Sequence, residues 1–393
     1  MSGKERGMLW LLAAINFTHI LDFMIMMPLG NYLMPYFHIS AQQFSFIVAS
    51  YTISAGISGF TAAFFVDNYD RKKVLLFAYI GFVIGTLLCG LAPTYHMLLG
   101  ARILAGIFGG LIGAQVLSIV ADSFSYERRG KAMGTLMSAF SLASVIGVPL
   151  GLFLATRISW HAPFLLVGGM GLIIIPLVIK YLPSVSGHLV NKGSRVKPLE
   201  VLSNIFRNPP QVLALSFSAL MMMGHFVIIP FLNPYMEFNV GFTKDQTMLI
   251  YTVGGLSTFF TAPYIGKLAD KYGKRRIFTI FVIASLVPIF LITNMPAIPF
   301  YYVLVVTGIW FILSLGRNIP AQAMISNVVE PVQRGSFMSF NSSVQQMFTG
   351  IASLIAGVIV IKQPSGAIEH YPWVGYLSMA LVCCSIFIAR RIE

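Results

Sequence analysis

The segment VDNYDRKK (66–73) returns as ADKYGKRR (269–276), 203 residues later, with Asp67 aligned on Asp270 and Tyr69 on Tyr272. Two further pairs keep nearly the same register. Pro28 and Asn31 match Pro230 and Asn233 at an offset of 202, and Arg129-Gly130 matches Arg334-Gly335 at 205. Features recurring at near-equal offsets mark a chain built from two copies of one design. Between the copies lies the one long hydrophilic stretch, SVSGHLVNKGSRVK (184–197), flanked by Pro183 and Pro210. The expected organisation is an N-terminal half over 1–182, a linker over 183–210 and a C-terminal half over 211–393.

The composition around these copies is that of a membrane protein. Of 393 residues, 57% are hydrophobic and 10% charged, and the mean hydropathy is +0.80. A soluble domain carries about 25% charged residues, so a soluble enzyme and a disordered chain are both excluded. A bilayer core about 30 Å thick takes roughly 20 apolar residues per helix. Runs of that kind centre near Met24, Ser54, Gly81, Phe108, Ala143 and Gly171, then near Gly224, Gly255, Ile283, Ile312, Gly350 and Met379. The expected fold is all-α and polytopic, with twelve spans, six in each half. The first run is too long for a cleavable signal peptide, carries Asp22 and lacks a small-residue cleavage site. PLEVLSNIF (198–206) reads as a short amphipathic helix on the membrane surface. Cys89, Cys383 and Cys384 all lie in apolar runs, with neither a disulfide framework nor metal-ligand spacing.

The net charge of +13 reports orientation here, not an acidic or nucleic-acid partner. With the N-terminus inside, 21 of the 26 Lys and Arg residues face the cytoplasm, and only Arg157, Lys244 and Lys362 face outward. Arg102 and Arg317 fall within spans. Both termini are therefore expected in the cytoplasm, with the chain in the cytoplasmic (inner) cell membrane.

GKLADKYGKRR (266–276) fits the loop signature Gly-x-x-x-Asp-Arg/Lys-x-Gly-Arg/Lys-Arg/Lys, and over its whole length the chain resembles the major facilitator superfamily. AFFVDNYDRKK (63–73) departs from that signature, with Ala63 and Asp70 at the glycine positions and Asn68 at the basic one. The resemblance implies two pseudo-symmetric six-helix bundles and transport by alternating access. It also implies a cytoplasmic latch, in which Asp67 and Arg71 pair with Asp122 and Arg128 or Arg129. Asp270, Lys274 and Arg275 are the second-half counterparts. Such surface pairs are individually weak, which suits a contact broken in every cycle. Loss of the glycines implies a stiffer or differently closed first loop.

Two more stretches fit the family. RILAGIFGGLIGAQ (102–115) in span 4 places Arg102 inside an apolar run, where a charge faces the bundle interior. Gly106, Gly110, Gly113 and Ala114 supply a small-residue face for close helix packing. GVPLG (147–151) in span 5 resembles the family's antiporter motif, with Val148 between Gly147 and Pro149, and with Gly151 closing it. Gly and Pro bend a helix and permit close approach, and the likeness favours efflux over uptake.

Span 1 reads NFTHILDFMIMMPLGN (16–31), with Asn16, His19 and Asp22 within an arc of about 120° on a helix of 3.6 residues per turn. Asp22 is the only acidic residue deep in any span, and an intramembrane ionisable group is a functional candidate by default. Burial favours the neutral form of a carboxyl, so Asp22, with His19 and Arg102, forms the candidate proton-coupling set. Polar stripes mark the candidate substrate cavity: Asn31, Gln115, Ser141, His225, Asn233, Arg317, Asn341 and Gln345. Hydroxyls and amides also join helices to one another.

The function expected is proton-coupled efflux of small organic molecules. The alternative is proton symport or facilitated uptake of a sugar or organic acid. A receptor would carry a soluble signalling domain, and an intramembrane enzyme would need a nucleophile–base pair or a His-Glu-x-x-His metal motif. No cofactor and no metal are expected. The expected partners are a small-molecule substrate, protons and the lipid bilayer, with no nucleic acid, and the chain is expected to act as a monomer.

Overall fold

The structure, a computed structural model, describes residues 3–62, 64–124, 126–186, 203, 205–329 and 334–392. Most of the linker, and with it most of the expected surface helix at 198–206, lies outside the described residues. Among the described residues, twelve helices are long and apolar enough to cross a membrane. In chain order, spans 1 to 6 are Glu5–Tyr36, Ala41–Ala62, Arg71–Gly90, Tyr95–Val120, Ala132–Arg157 and Ala162–Tyr181. Spans 7 to 12 are Pro209–Phe238, Lys244–Tyr272, Lys274–Thr293, Phe300–Asn327, Phe337–Ile359 and Tyr371–Ile392. Large apolar side chains such as Phe77, Ile173, Phe260 and Val358 stand exposed along them, as hydrocarbon solvent allows.

Helix ends follow local chemistry. Thr94 caps span 4, its hydroxyl accepting from Met97 N–H, and Thr243 with Gln246 forms a capping box at span 8. Pro209 and Pro210 fill the first positions of span 7 behind the Asn208 cap. Spans 1 and 7 are both interrupted, at a 3₁₀ turn over Met27–Leu29 and at Val227–Ile228. Pro28 and Pro230 sit at those breaks, since proline lacks the N–H that would continue the ladder.

Contacts divide the chain into two compact units, Met1–Ile25 with Ser50–Leu202 and Met26–Ala49 with Ser203–Glu393. Each repeat thus builds one unit, except that the far end of span 1 and the start of span 2 are grouped with the second.

In the first unit, Gly106 and Gly110 lie one turn apart against span 2. A Cβ on either would collide with the backbone carbonyl of Tyr51 or Ala55. Gly113 has nothing within 4 Å of such a position, so only part of the small-residue face is used here. In span 5 a π-helical turn, Ala143–Gly147, precedes Pro149. The proline ring presses on the carbonyl four residues back, Val145, and the widened turn accommodates it. Gly147 and Gly151 then admit Leu21 and Ile25 of span 1.

In the second unit, Asn233 Nδ2 donates to the Pro28 carbonyl at 2.8 Å, and Asn31 donates to the Glu237 carboxylate. Glu237 lies in the last turn of span 7. A short hairpin, Ile361–Lys362 paired with Ile368–Glu369, joins spans 11 and 12. Lys362 Nζ reaches the Met34 and Ile39 carbonyls at 3.2 and 3.3 Å, fastening the hairpin to the connection between spans 1 and 2.

Candidate functional site

The first unit carries a buried charged pair. Arg102 Nη1 donates to Asp22 Oδ2 at 2.7 Å, with the side chains 1% and 0% exposed. Thr86 Oγ1, from span 3, donates to the other carboxylate oxygen at 3.1 Å. The guanidinium also lies over the Tyr51 ring, 4.2 Å from its centroid. Three spans therefore converge on one carboxylate. The local sequence dictates the geometry: Gly106 and Gly110 let span 2 approach span 4, and this sets Tyr51 against Arg102.

His19 lies beside the pair without bonding to it. Its ring meets Phe82 edge-on at 5.7 Å and is tilted to Tyr51 at 6.5 Å. Neither of its ring nitrogens, nor the Tyr51 hydroxyl, has a hydrogen-bond partner among the described residues. A Cβ on Gly109 would stand 2.7 Å from the Tyr51 hydroxyl and 3.2 Å from His19 Nε2, so span 4 leaves room for both groups. Asn16, which shares the helical arc in sequence, turns elsewhere and donates to the Leu136 carbonyl at 3.2 Å. Asp22 is thus brought together with Arg102 and lies near His19. Thr86 and Tyr51 were not singled out in the sequence, where one hydroxyl in an apolar run carries little signal.

The second unit holds its own buried polar group. Arg317 is 1% exposed, and its Nη1 donates to Ser285 Oγ at 3.2 Å. His225 stacks on Trp310 with centroids 5.3 Å apart. Asn341 is buried, with an unpartnered Oδ1 among the described residues. Gln345 Nε2 donates to buried Ser218 at 2.9 Å, which joins span 11 to span 7. Asn31 and Asn233 are both buried in the contacts between spans 1 and 7. In the first unit, Gln115 is buried with Oε1 unpartnered among the described residues, and Ser141 is half-buried.

Of the loop residues, Arg71 Nε pairs with Asp122 Oδ2 at 2.5 Å. The side chains of Asp67, Arg128 and Arg129 lie outside the described ones. Asp70, at the family's glycine position, caps span 3 by accepting from Lys72 N–H at 2.8 Å and Lys73 N–H at 3.3 Å. Ser184 donates to its other oxygen, and Arg71 N–H donates to the Val185 carbonyl at 3.1 Å. Burial works to raise the Asp70 carboxyl, but the bonds from Ser184, Lys73, Lys72 and Val185 outweigh it and hold the group below its ordinary value. The second loop keeps glycine there, and Gly273 has φ +91°, a backbone L side chains rarely adopt. Asp270 and Arg275 are exposed beside it and Lys274 is half-buried.

A model of the Major Facilitator Superfamily matches residues 12–227 and 215–392. The chain belongs to the Major Facilitator Superfamily. It is a transporter and not an enzyme, and a multi-pass membrane protein. Among its relatives, the uncharacterized MFS-type transporter YceJ of Bacillus subtilis is 23% identical over 95% of each chain. Multidrug resistance protein 2 of the same organism is 24% identical over 94% of this chain and 92% of its own. A crystal structure of a D-xylose-proton symporter superposes with a TM-score of 0.79 at 16% identity, covering 98% of this chain and 97% of that one, which bears on the fold alone.

Proposed function

We propose that this transporter is a proton-coupled exporter of small organic molecules, an antiporter working by alternating access. The observation that carries the reading is the Asp22–Arg102 pair, held at 2.7 Å with neither side chain exposed. Charges inside hydrocarbon are expensive and are retained where they are used. The pair offers two states. With Asp22 ionised, Arg102 and Thr86 hold it and the site is neutral overall. With Asp22 protonated, the attraction falls and Arg102 turns to another acceptor. A substrate that binds one state better shifts the proton, and the proton shifts the substrate by the same factor.

The energetics suffice. A proton moving down ~100 mV releases roughly 2.3 kcal/mol, and one pH unit adds about 1.4 kcal/mol. One proton per cycle then sustains a gradient of roughly several hundred-fold. The export direction draws support from the GVPLG stretch, where Gly147 and Gly151 admit span 1. It draws further support from the full-length likeness to Multidrug resistance protein 2.

Inverted membrane vesicles acidified inside, with a fluorescent weak base reporting the gradient, provide the test. Sugars, antibiotics, dyes and organic acids are added in turn, against vesicles lacking the protein. An exported compound should dissipate the gradient through the wild-type chain and not through Asp22→Asn. A compound dissipating it equally through both would remove Asp22 from the coupling.

A further inference from the structure

We infer that the second unit contains a buried anion site centred on Arg317, which binds an acidic group (a carboxylate, sulfonate or phosphate) of the transported molecule. The inference rests on the transport reading above and narrows it to a class of substrate.

The two buried arginines among the described residues are partnered differently. Arg102 has a carboxylate at 2.7 Å. Arg317, equally buried, has among the described residues only the neutral Ser285 hydroxyl, at 3.2 Å. Its Nη2 has no partner among the described residues. No described carboxylate forms an ion pair with it. At the offset of 202 that relates Pro28 to Pro230, Arg102 falls on Leu304 and Arg317 on Gln115, so the two arginines are not repeat counterparts and each has its own surroundings.

The surroundings of Arg317 are those of a site. Trp310, Ser314 and Arg317 are spaced four and three apart in span 10, which puts them on one face of the helix. All three are buried, and Trp310 Nε1, Ser314 Oγ and Arg317 Nη2 are each unpartnered among the described residues. From span 7, His225 stacks on Trp310 with its Nδ1 also unpartnered. Indole and guanidinium nitrogens only donate, and serine and histidine also can. A stripe of buried donors carrying a fixed positive charge asks for an acceptor with negative charge. A neutral sugar would leave the charge uncompensated, and an amine would be repelled by it.

The purified full-length protein in detergent is tested by thermal shift with four probes of one shape: benzoate, benzenesulfonate, benzamide and benzylamine. The two anions should raise the melting temperature of the wild type by mass action, and the amide and amine should not. Arg317→Gln should weaken the response to the anions about thirty-fold or more, and Arg317→Lys should keep part of it. Without any probe, Arg317→Gln should melt at or above the wild type, because an uncompensated buried charge is removed. An arginine serving only as a strut would give a lower melting temperature. Absence of an anion response, an equal response to benzamide or benzylamine, or an anion response that survives Arg317→Gln would overturn the site. Binding here needs no proton gradient. Loss of gradient-driven export with anion binding intact would thus count against the antiport reading alone, and export of uncharged compounds with no anion binding would count against this site alone.

Discussion

Asp22 and Arg102 hold each other at 2.7 Å in a place where neither side chain is exposed. Removing one partner of a buried pair typically costs about 3–5 kcal/mol. Arg102→Gln should therefore lower thermal stability in detergent markedly. Adding Asp22→Asn to that variant should recover most of the loss, since a neutral amide pair replaces a stranded carboxylate, while proton coupling stays absent. A double variant no more stable than Arg102→Gln would mean that the two side chains are not energetically joined. The sequence made both residues visible, because a lone charge in an apolar run stands out. It grouped them with His19 but did not decide which of His19 and Arg102 holds the carboxylate, nor did it reveal Thr86 and Tyr51. Helical periodicity places residues on a face but does not say which helix lies opposite.

Helices approach one another in the first unit through glycine. At Gly106 any Cβ meets the Tyr51 carbonyl, and backbone cannot step aside as a flexible side chain can. Gly106→Val should force spans 2 and 4 apart and destabilise by about 1–3 kcal/mol, as overpacking does. Gly113→Ala, with open space around it, should be close to neutral, and thermal unfolding of the two variants side by side checks the contrast. The first loop gives a pH prediction. The Asp70 carboxyl lies below its ordinary value, so its contribution is complete above about pH 4, the usual carboxylate range. It is lost as pH falls through the lowered folded value. Asp70→Ala should cost about 1 kcal/mol near neutrality, the usual worth of an N-cap. The gap to the wild type should close on acidification, and a gap unchanged at low pH would count against the carboxylate's role. That the first loop departs from the family signature was legible, but what Asp70 does instead depends on Ser184 and Val185, over a hundred residues away. No local pattern connects them.

At the scale of the molecule, composition alone required a membrane bundle, and the repeat divided it into six spans and six. The grouping of Met26–Ala49 with the second unit was not legible, because it follows from contacts such as Asn233 with the Pro28 carbonyl. From the distribution of positive charges we propose an orientation with the linker in the cytoplasm. A cysteine introduced by Ser194→Cys should therefore resist impermeant thiol reagents in intact cells and react once the membrane is opened. Labelling from outside would invert the topology.

The claim that joins these scales is that one buried carboxylate couples proton to substrate. It is tested most directly in proteoliposomes by following a radiolabelled compound already found to dissipate the gradient. With an imposed pH gradient, the wild type should accumulate the compound above its external concentration. Asp22→Asn should exchange labelled for unlabelled compound across the membrane yet never exceed equilibrium. Gradient-driven accumulation by Asp22→Asn at the wild-type level would contradict the account.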